Sequence, residues 1–243
     1  MVRKRFLIHR SGCAVCGEPL EYRTTFNTFQ CYYCDKEFQS EVSCHEGHYV
    51  CDDCHRIDAN DFITSSCLKY TDTNPIELAN QIMAEPIISI HGPEHHYLVP
   101  AVLITCYRNH IGESHLVRAD LTTLRQKMVK IPGNICGTHG GCGAVLGLGA
   151  FVSHVTSTTT LSTKSWAHVH AVTGAGLLHV SKYGGPRCCK RDTYISLLEG
   201  ITWLREYKEI ELKKSETIYC EFSGKNKECL HKGCLFHSSQ AAS

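Results

Sequence analysis

Four ligand pairs crowd the start of the chain: Cys13-x2-Cys16, Cys31-x2-Cys34, Cys44-x3-His48 and Cys51-x2-Cys54. A Cys-x2-Cys knuckle sets two thiolates on one side of a tight turn, and two such pairs complete the tetrahedral site of a structural zinc ion. Eight ligands imply two ions, zinc by the donor chemistry. Gly17, just behind the first knuckle, suits the unusual dihedrals of that turn. Spacing alone leaves the pairing open. Read sequentially, Cys13/Cys16/Cys31/Cys34 take one ion and Cys44/His48/Cys51/Cys54 the other; read cross-braced, as in RING-type modules, pair one joins pair three and pair two joins pair four. His45 and His55 are adjacent substitutes for His48 or Cys54. Apolar residues are sparse here, so metal binding supplies most of the folding energy, about 10 kcal/mol per site. Four protein ligands per ion leave no open position, which makes residues 1–58 a structural or interaction module.

The sixteen cysteines divide into two populations. Seven belong to the module just described, seven more lie between Cys136 and Cys234 at irregular spacings, and Cys67 and Cys106 stand alone as ordinary buried residues. Phe6-Leu7-Ile8 is too short for the apolar part of a secretory signal, and no stretch reaches the ~20 apolar residues of a membrane span. The expectation is therefore a cytoplasmic chain with reduced thiols that bind metal or do redox chemistry, and no membrane partner. A formal net charge of +1 gives no general case for nucleic acid, and the basic run Arg3-Lys4-Arg5 with Arg10 is too short to make one.

Residues 70–236 read as helices. Asn74-Pro75 is a cap followed by proline at the first helical position, with Ile76, Ala79, Ile82 and Met83 on one face. A second helix covers Tyr97 to Arg108. A third follows Ser114, where Val117, Leu121, Leu124, Met128 and Ile131 recur at alternating spacings until Pro132-Gly133. Residues 142–155 are apolar all round and mark a buried central helix, in which Gly143, Gly147 and Gly149 admit neighbouring backbones. Ser162 opens another helix with Trp166, Val169, Thr173, Leu177 and Val180 inward, and Asp192 caps a last one with Ile195, Leu198 and Ile201 inward. The fold class is mainly α: a helical domain with a buried glycine-rich central helix, preceded by a small double zinc-ribbon or knuckle module.

The second cysteine set lies in loops and at helix ends, where packing does not dictate residue choice. Cys136 and Cys142 flank His139 ahead of the central helix, and Cys188-Cys189 open the last helix beside Arg187, Lys190 and Arg191. Helix dipole and cations would lower the pKa of thiols placed there. Cys136, His139, Cys142, Cys188 and Cys189 are the catalytic candidates, with the cysteine pair expected to face the Cys136–Cys142 loop. Cys220, Cys229 and Cys234 follow in a polar tail that frays unless tethered. They are the cofactor candidates, converging with Cys188-Cys189 on an iron–sulfur cluster or a reactive-thiol site.

The segments HGPEHHYLVPAVL, CGTHGGCGAVLGLGAF, GGPRCCKRD and CEFSGKNKECLHKGC together resemble an uncharacterised cysteine-rich domain family of anaerobic archaea and bacteria, often labelled SAM-dependent methyltransferase. CGAVLGLG with the Cys188-Cys189 pair is also similar, loosely, to the C-GCAxxG-C-C family of redox proteins. A doubly wound methyltransferase needs a strand feeding a glycine-rich turn, whereas Gly174-Ala175-Gly176 lies inside a helical pattern. The resemblance thus implies that the cysteine motifs form one functional unit without supplying a reaction. An oxygen-sensitive redox or sulfur-handling enzyme acting on a small-molecule or protein substrate is the favoured expectation. A non-catalytic metal-binding scaffold and an RNA-modification factor, whose nucleic-acid contacts the near-zero charge weakens, are the alternatives.

Overall fold

The computed structural model describes residues 12–239 apart from 14, 17 and 33, and the side chains of all of these but 53 and 55–58. The basic run and apolar segment at the start of the chain, Gly17 and the His55 ring lie outside the described residues.

Strands β1 (Leu20–Gln30) and β2 (Glu37–Cys44) form an antiparallel hairpin with a bulge between Tyr22 and Asn27. Tyr22, Phe26 and Phe29 together with Thr24, Thr25 and Thr28 suit β1 to a strand, and it is exposed throughout Thr24–Thr28. Its register carries the chain away from the first knuckle and back, since Leu20 pairs with Cys44. The second knuckle sits in the hairpin loop, where Cys31 bridges to Tyr49 on the returning chain.

Helix α1 (Asp52–Lys69) begins inside the last ligand pair, with Cys51 as its N-cap. It runs without a break across the boundary expected near residue 58 and buries Ala59, Ile63 and Cys67 in the helical core. The sequence reading assigned no helix here, because the run DDCHRIDAND carries no apolar stripe. Tertiary contacts supply what periodicity does not. Thr64 Oγ1 lies 3.0 Å from the Tyr97 hydroxyl, and Asp52 accepts from the Gly133 amide.

The remaining helices are α2 (Pro75–Ala84), α3 (Glu94–His110), α4 (Val117–Met128), the single turn α5 (Ile135–Thr138), α6 (Gly143–Val155), α7 (Lys164–Ser181) and α8 (Cys189–Lys208). The inward face expected of α2 is buried as its spacing requires, and so is that of α4 from Val117 to Met128; the helix ends there, and Ile131 lies beyond it, half-buried. Helix α6 is buried as expected and packs most extensively on α3, which is itself buried from Glu94 to Cys106. Pro100 has no N–H to return to the His96 carbonyl. That carbonyl faces Gly147 of α6, where an added Cβ would lie 2.4 Å from it. Glycine at this point is what lets the two helices meet.

Two sequence expectations need correction. Trp166 is 47% exposed rather than inward, and its ring packs at a tilt against His170 with 4.0 Å between centroids. Helix α7 lies on the outside of the bundle and buries only the narrow strip of Val172 and Gly176. Asp192 does not cap α8: the helix begins three residues earlier, with Cys188 at the N-cap and Asp192 buried in the first turn.

Candidate metal and thiol sites

Cys13/Cys16/Cys44/His48 and Cys31/Cys34/Cys51/Cys54 each bring four ligand atoms within 4.8 Å of one another. The pairing is therefore cross-braced, and the hairpin is the reason. β1 separates the first two knuckles, β2 returns Cys44 to the first, and the Cys31–Tyr49 bridge holds Cys51 beside the second. The Sγ atoms of Cys16 and Cys44 are 3.5 Å apart and those of Cys34 and Cys51 are 3.8 Å apart. Thiolates about 2.3 Å from a tetrahedral zinc stand about 3.8 Å from each other, so the spacing fits that ion.

Backbone geometry supports the same reading. The amides of Val15, Glu46 and Cys51 donate to the sulfurs of Cys13, Cys44 and Cys31, each at 3.3 Å. Gly47, at φ +80°, makes the turn that swings His48 back beside Cys44. His48 Nδ1 is buried with no hydrogen-bond partner among the described residues, as a nitrogen reserved for a metal would be. Burial and the adjoining sulfurs of Cys51, Cys34 and Cys31 push the Cys54 thiol up, whereas at Cys44 burial is outweighed by the Glu46 amide, His48 and the sulfurs of Cys16 and Cys13, which bring the thiol down to about 7. Each tetrad can hold a metal ion, and its donors suit zinc. His45 pairs with Glu21 at 2.6 Å and stays outside both tetrads.

A cleft of about 450 Å³ opens between the hairpin and the helical domain. Tyr22, Phe26 and Val42 wall it on one side; Cys136, His139, Cys142, Arg187, Cys189 and Asp192 line the other, with His95 and His96 at its back. Cys136, on the turn of α5, and His139, whose Nδ1 lies 2.8 Å from Thr138 Oγ1, are exposed. Cys142 is the N-cap of α6, and its thiol donates to Asp192 Oδ2 at 3.7 Å. Arg187 donates to the Tyr22 hydroxyl at 2.6 Å and so ties the helical side of the cleft to the hairpin. Burial works against its charge, but Tyr22, Glu228, Cys189 and Cys136 more than offset that, so the guanidinium stays charged beside the thiols.

The expected fall in thiol pKa is overturned. Burial pushes Cys142 and Cys188 up to about 12 and Cys189 well above the ordinary thiol range. Arg191 still pulls Cys188 down, but burial outweighs it, and the flanking cations have other partners as well. Lys190, itself lowered to about 8 by burial, donates to the carbonyls of Met83 at 3.2 Å and Ile88 at 3.4 Å, and Arg191 pairs with Asp192 at 3.0 Å.

The Cys188-Cys189 pair also divides, against the expectation that both face the Cys136–Cys142 loop. Cys189 lines the cleft, while Cys188 lines a second, smaller pocket with Cys220, Cys229 and Cys234. The tail is folded down over this pocket: Phe222 and Phe236 are buried, and His91 Nε2 lies 3.1 Å from Asn226 Oδ1 and 3.2 Å from Glu228 Oε2. Cys67 and Cys106 are buried core residues, as read from sequence. Sequence reasoning missed Asp192, His95 and His96, which the packing of α3, α6 and α8 brings together, and the hairpin aromatics, whose approach depends on how the module docks.

Residues 63–237 match the model of a family described as a family of unknown function (DUF5714). The chain belongs to this family. The match takes in the cysteines from Cys136 to Cys234 and all the helices from α2 onward, leaves out the hairpin side of the cleft, and carries no activity with it. No curated protein and no solved structure matches the chain. Among the described residues, no helix is long and apolar enough to cross a membrane, and all sixteen cysteines are free thiols.

Proposed function

We propose that the chain is a thiol-based redox or sulfur-handling protein of a reducing compartment, in which two zinc ions brace the hairpin over a reactive cleft. The observation that carries this reading is the convergence of Cys136, Cys142 and Cys189 on one cleft with the Arg187 guanidinium beside them. An exposed cysteine next to a fixed cation is the setting in which a thiolate reacts. Cys136 has that setting, and the buried thiols behind it do not.

The chemistry is thiol exchange. The Cys136 thiolate attacks one sulfur of a disulfide or persulfide. The S–S bond breaks, and the departing thiolate takes a proton from solvent. Cys142, from the same loop, then attacks the sulfur of Cys136, expels the second half of the substrate as a thiol and leaves a Cys136–Cys142 disulfide. Two electrons pass from the two cysteines to the substrate, and an external dithiol returns them. Because burial holds Cys142 protonated, the second step accelerates about tenfold per pH unit up to its pKa.

Reduced, zinc-loaded protein mixed with a low-molecular-weight disulfide tests this by intact mass. Cys142→Ser should trap a mixed disulfide on Cys136, and Cys136→Ser should form no adduct in the cleft. Adducts spread over the exposed thiols with no preference for Cys136 would defeat the proposal.

A further inference from the structure

We infer that Cys188, Cys220, Cys229 and Cys234 are the four ligands of a third metal–thiolate centre, an iron–sulfur cluster of four irons. This centre is separate from the reactive cleft and does not rest on that reading.

The four thiols line a single pocket although the first lies more than thirty residues before the others. One helix cap and three points of an irregular tail converge there, and no secondary structure in the tail compels it. From Glu209 on, the described tail holds only the short 3₁₀ turns Ser223–Lys225 and His231–Gly233. Ordering so polar a segment is entropically costly without a tether. At Cys229 the amide two residues on, that of His231, donates to the sulfur at 3.3 Å. The same local bond, at the same length, marks Cys13 and Cys44 in the first metal tetrad.

Arg191 gives an independent indication. It is 2% exposed, its Nε donates to Asp192 at 3.0 Å and its Nη2 to the Gly184 carbonyl at 3.2 Å. Its Nη1 has no hydrogen-bond partner among the described residues, and the side chain lines this same pocket. A buried cation with an unused donor is costly unless something anionic accepts from it. A cluster carrying four thiolates is such an acceptor, and donors to cluster sulfur are a recognised control on its potential.

Sulfur spacing selects the ion. Among the described residues only the two N-terminal tetrads bring three or more ligand atoms within 4.8 Å of one another, so the tail thiols stand wider apart than one zinc requires. A four-iron cluster takes one thiolate on each iron and needs the wider frame.

The test uses full-length protein expressed and purified without oxygen, then supplied with ferrous iron and sulfide. We expect about four irons and four sulfides per chain, with sulfur-to-iron charge-transfer absorption, in addition to the two zincs. Cys188→Ser is the decisive variant, since serine is a preferred N-cap and α8 should still start there. It should lower retained iron by about tenfold or more, while zinc content and helical circular dichroism stay unchanged. Cys229→Ser should do the same. Cys189→Ser and Cys142→Ser, which remove cleft thiols, should keep the iron. Colourless protein after reconstitution, a third zinc in place of iron, or loss of iron from the Cys189 variant but not the Cys188 variant would each overturn the assignment. None of these outcomes bears on disulfide reactivity at Cys136, which tests the cleft separately.

Discussion

Two double substitutions distinguish the cross-braced module from a sequential one by stoichiometry alone. In Cys13→Ser/Cys44→Ser both lost thiols belong to one tetrad, and the Cys31/Cys34/Cys51/Cys54 set stays whole. In Cys13→Ser/Cys31→Ser each tetrad loses one ligand. A structural zinc site contributes on the order of 12 kcal/mol of binding energy, so a quarter of its donors is worth about 3 kcal/mol, or roughly a hundredfold in affinity. Two donors lost from one site then cost about 6 kcal/mol and empty it at any ordinary zinc concentration. The first variant should therefore keep one zinc of native affinity in competition with a chromophoric chelator, and the second should keep none. Sequential pairing predicts the opposite assignment, because Cys13 and Cys31 would then share an ion. Native-affinity zinc in Cys13→Ser/Cys31→Ser together with none in Cys13→Ser/Cys44→Ser would refute the cross-brace, and with it the argument that the hairpin register dictates the pairing.

Other expectations concern the helical domain. Gly147→Ala gains about 1 kcal/mol of helix propensity but drives a methyl into the His96 carbonyl and Pro100, for a net loss of about 2 kcal/mol in denaturant unfolding. Gly174→Ala, with nothing within 4 Å of the new methyl, should instead gain up to about 1 kcal/mol. Burial raises the Cys67 thiol from 9.0 to about 12, so its contribution is complete below pH 9 and is lost as pH climbs toward 12. That loss is on the order of 4 kcal/mol, and Cys67→Val should flatten this part of the stability curve measured across alkaline pH. Asn74→Ala removes the acceptor for the Ile76 and Glu77 amides, at 3.1 and 3.2 Å, and should cost about 1 kcal/mol by thermal or denaturant melts.

What could be read from the sequence was whatever a local pattern carries. The ligand pairs announce themselves because a knuckle is a four-residue object, and α2 and α4 because their apolar spacing matches the helical period. The pairing of the knuckles was not legible. It depends on Leu20 lying opposite Cys44, a register set across the hairpin, and one strand's pattern does not fix its partner. Helix α1 was hidden for a related reason, as its first turns are polar and its burial begins only at Ala59. The sequence shows cations beside Cys188 and Cys189 but not the burial that outweighs them and raises both thiols. Lys190 sits next to Cys189 along the chain, yet its ammonium reaches the carbonyls of Met83 and Ile88 and lies 4.6 Å from the Phe222 ring centroid.

The Cys188-Cys189 dipeptide shows the same limit most sharply. Read as a string, the two thiols form a pair. In the fold Cys188 is still extended, at φ −139° and ψ 98°, and Cys189 is the first residue of the helix. Side chains on either side of such a transition need not share a face, and here they line different pockets, one roofed by the tail and one by the hairpin. The start of α8 is consequently the wall between the two sites. If both are occupied as inferred, cluster and reactive cleft are held in register by one peptide bond. A substitution that unwinds the first turn of α8 should then disturb iron retention and Cys136 reactivity together, whereas Cys188→Ser and Cys189→Ser should separate them.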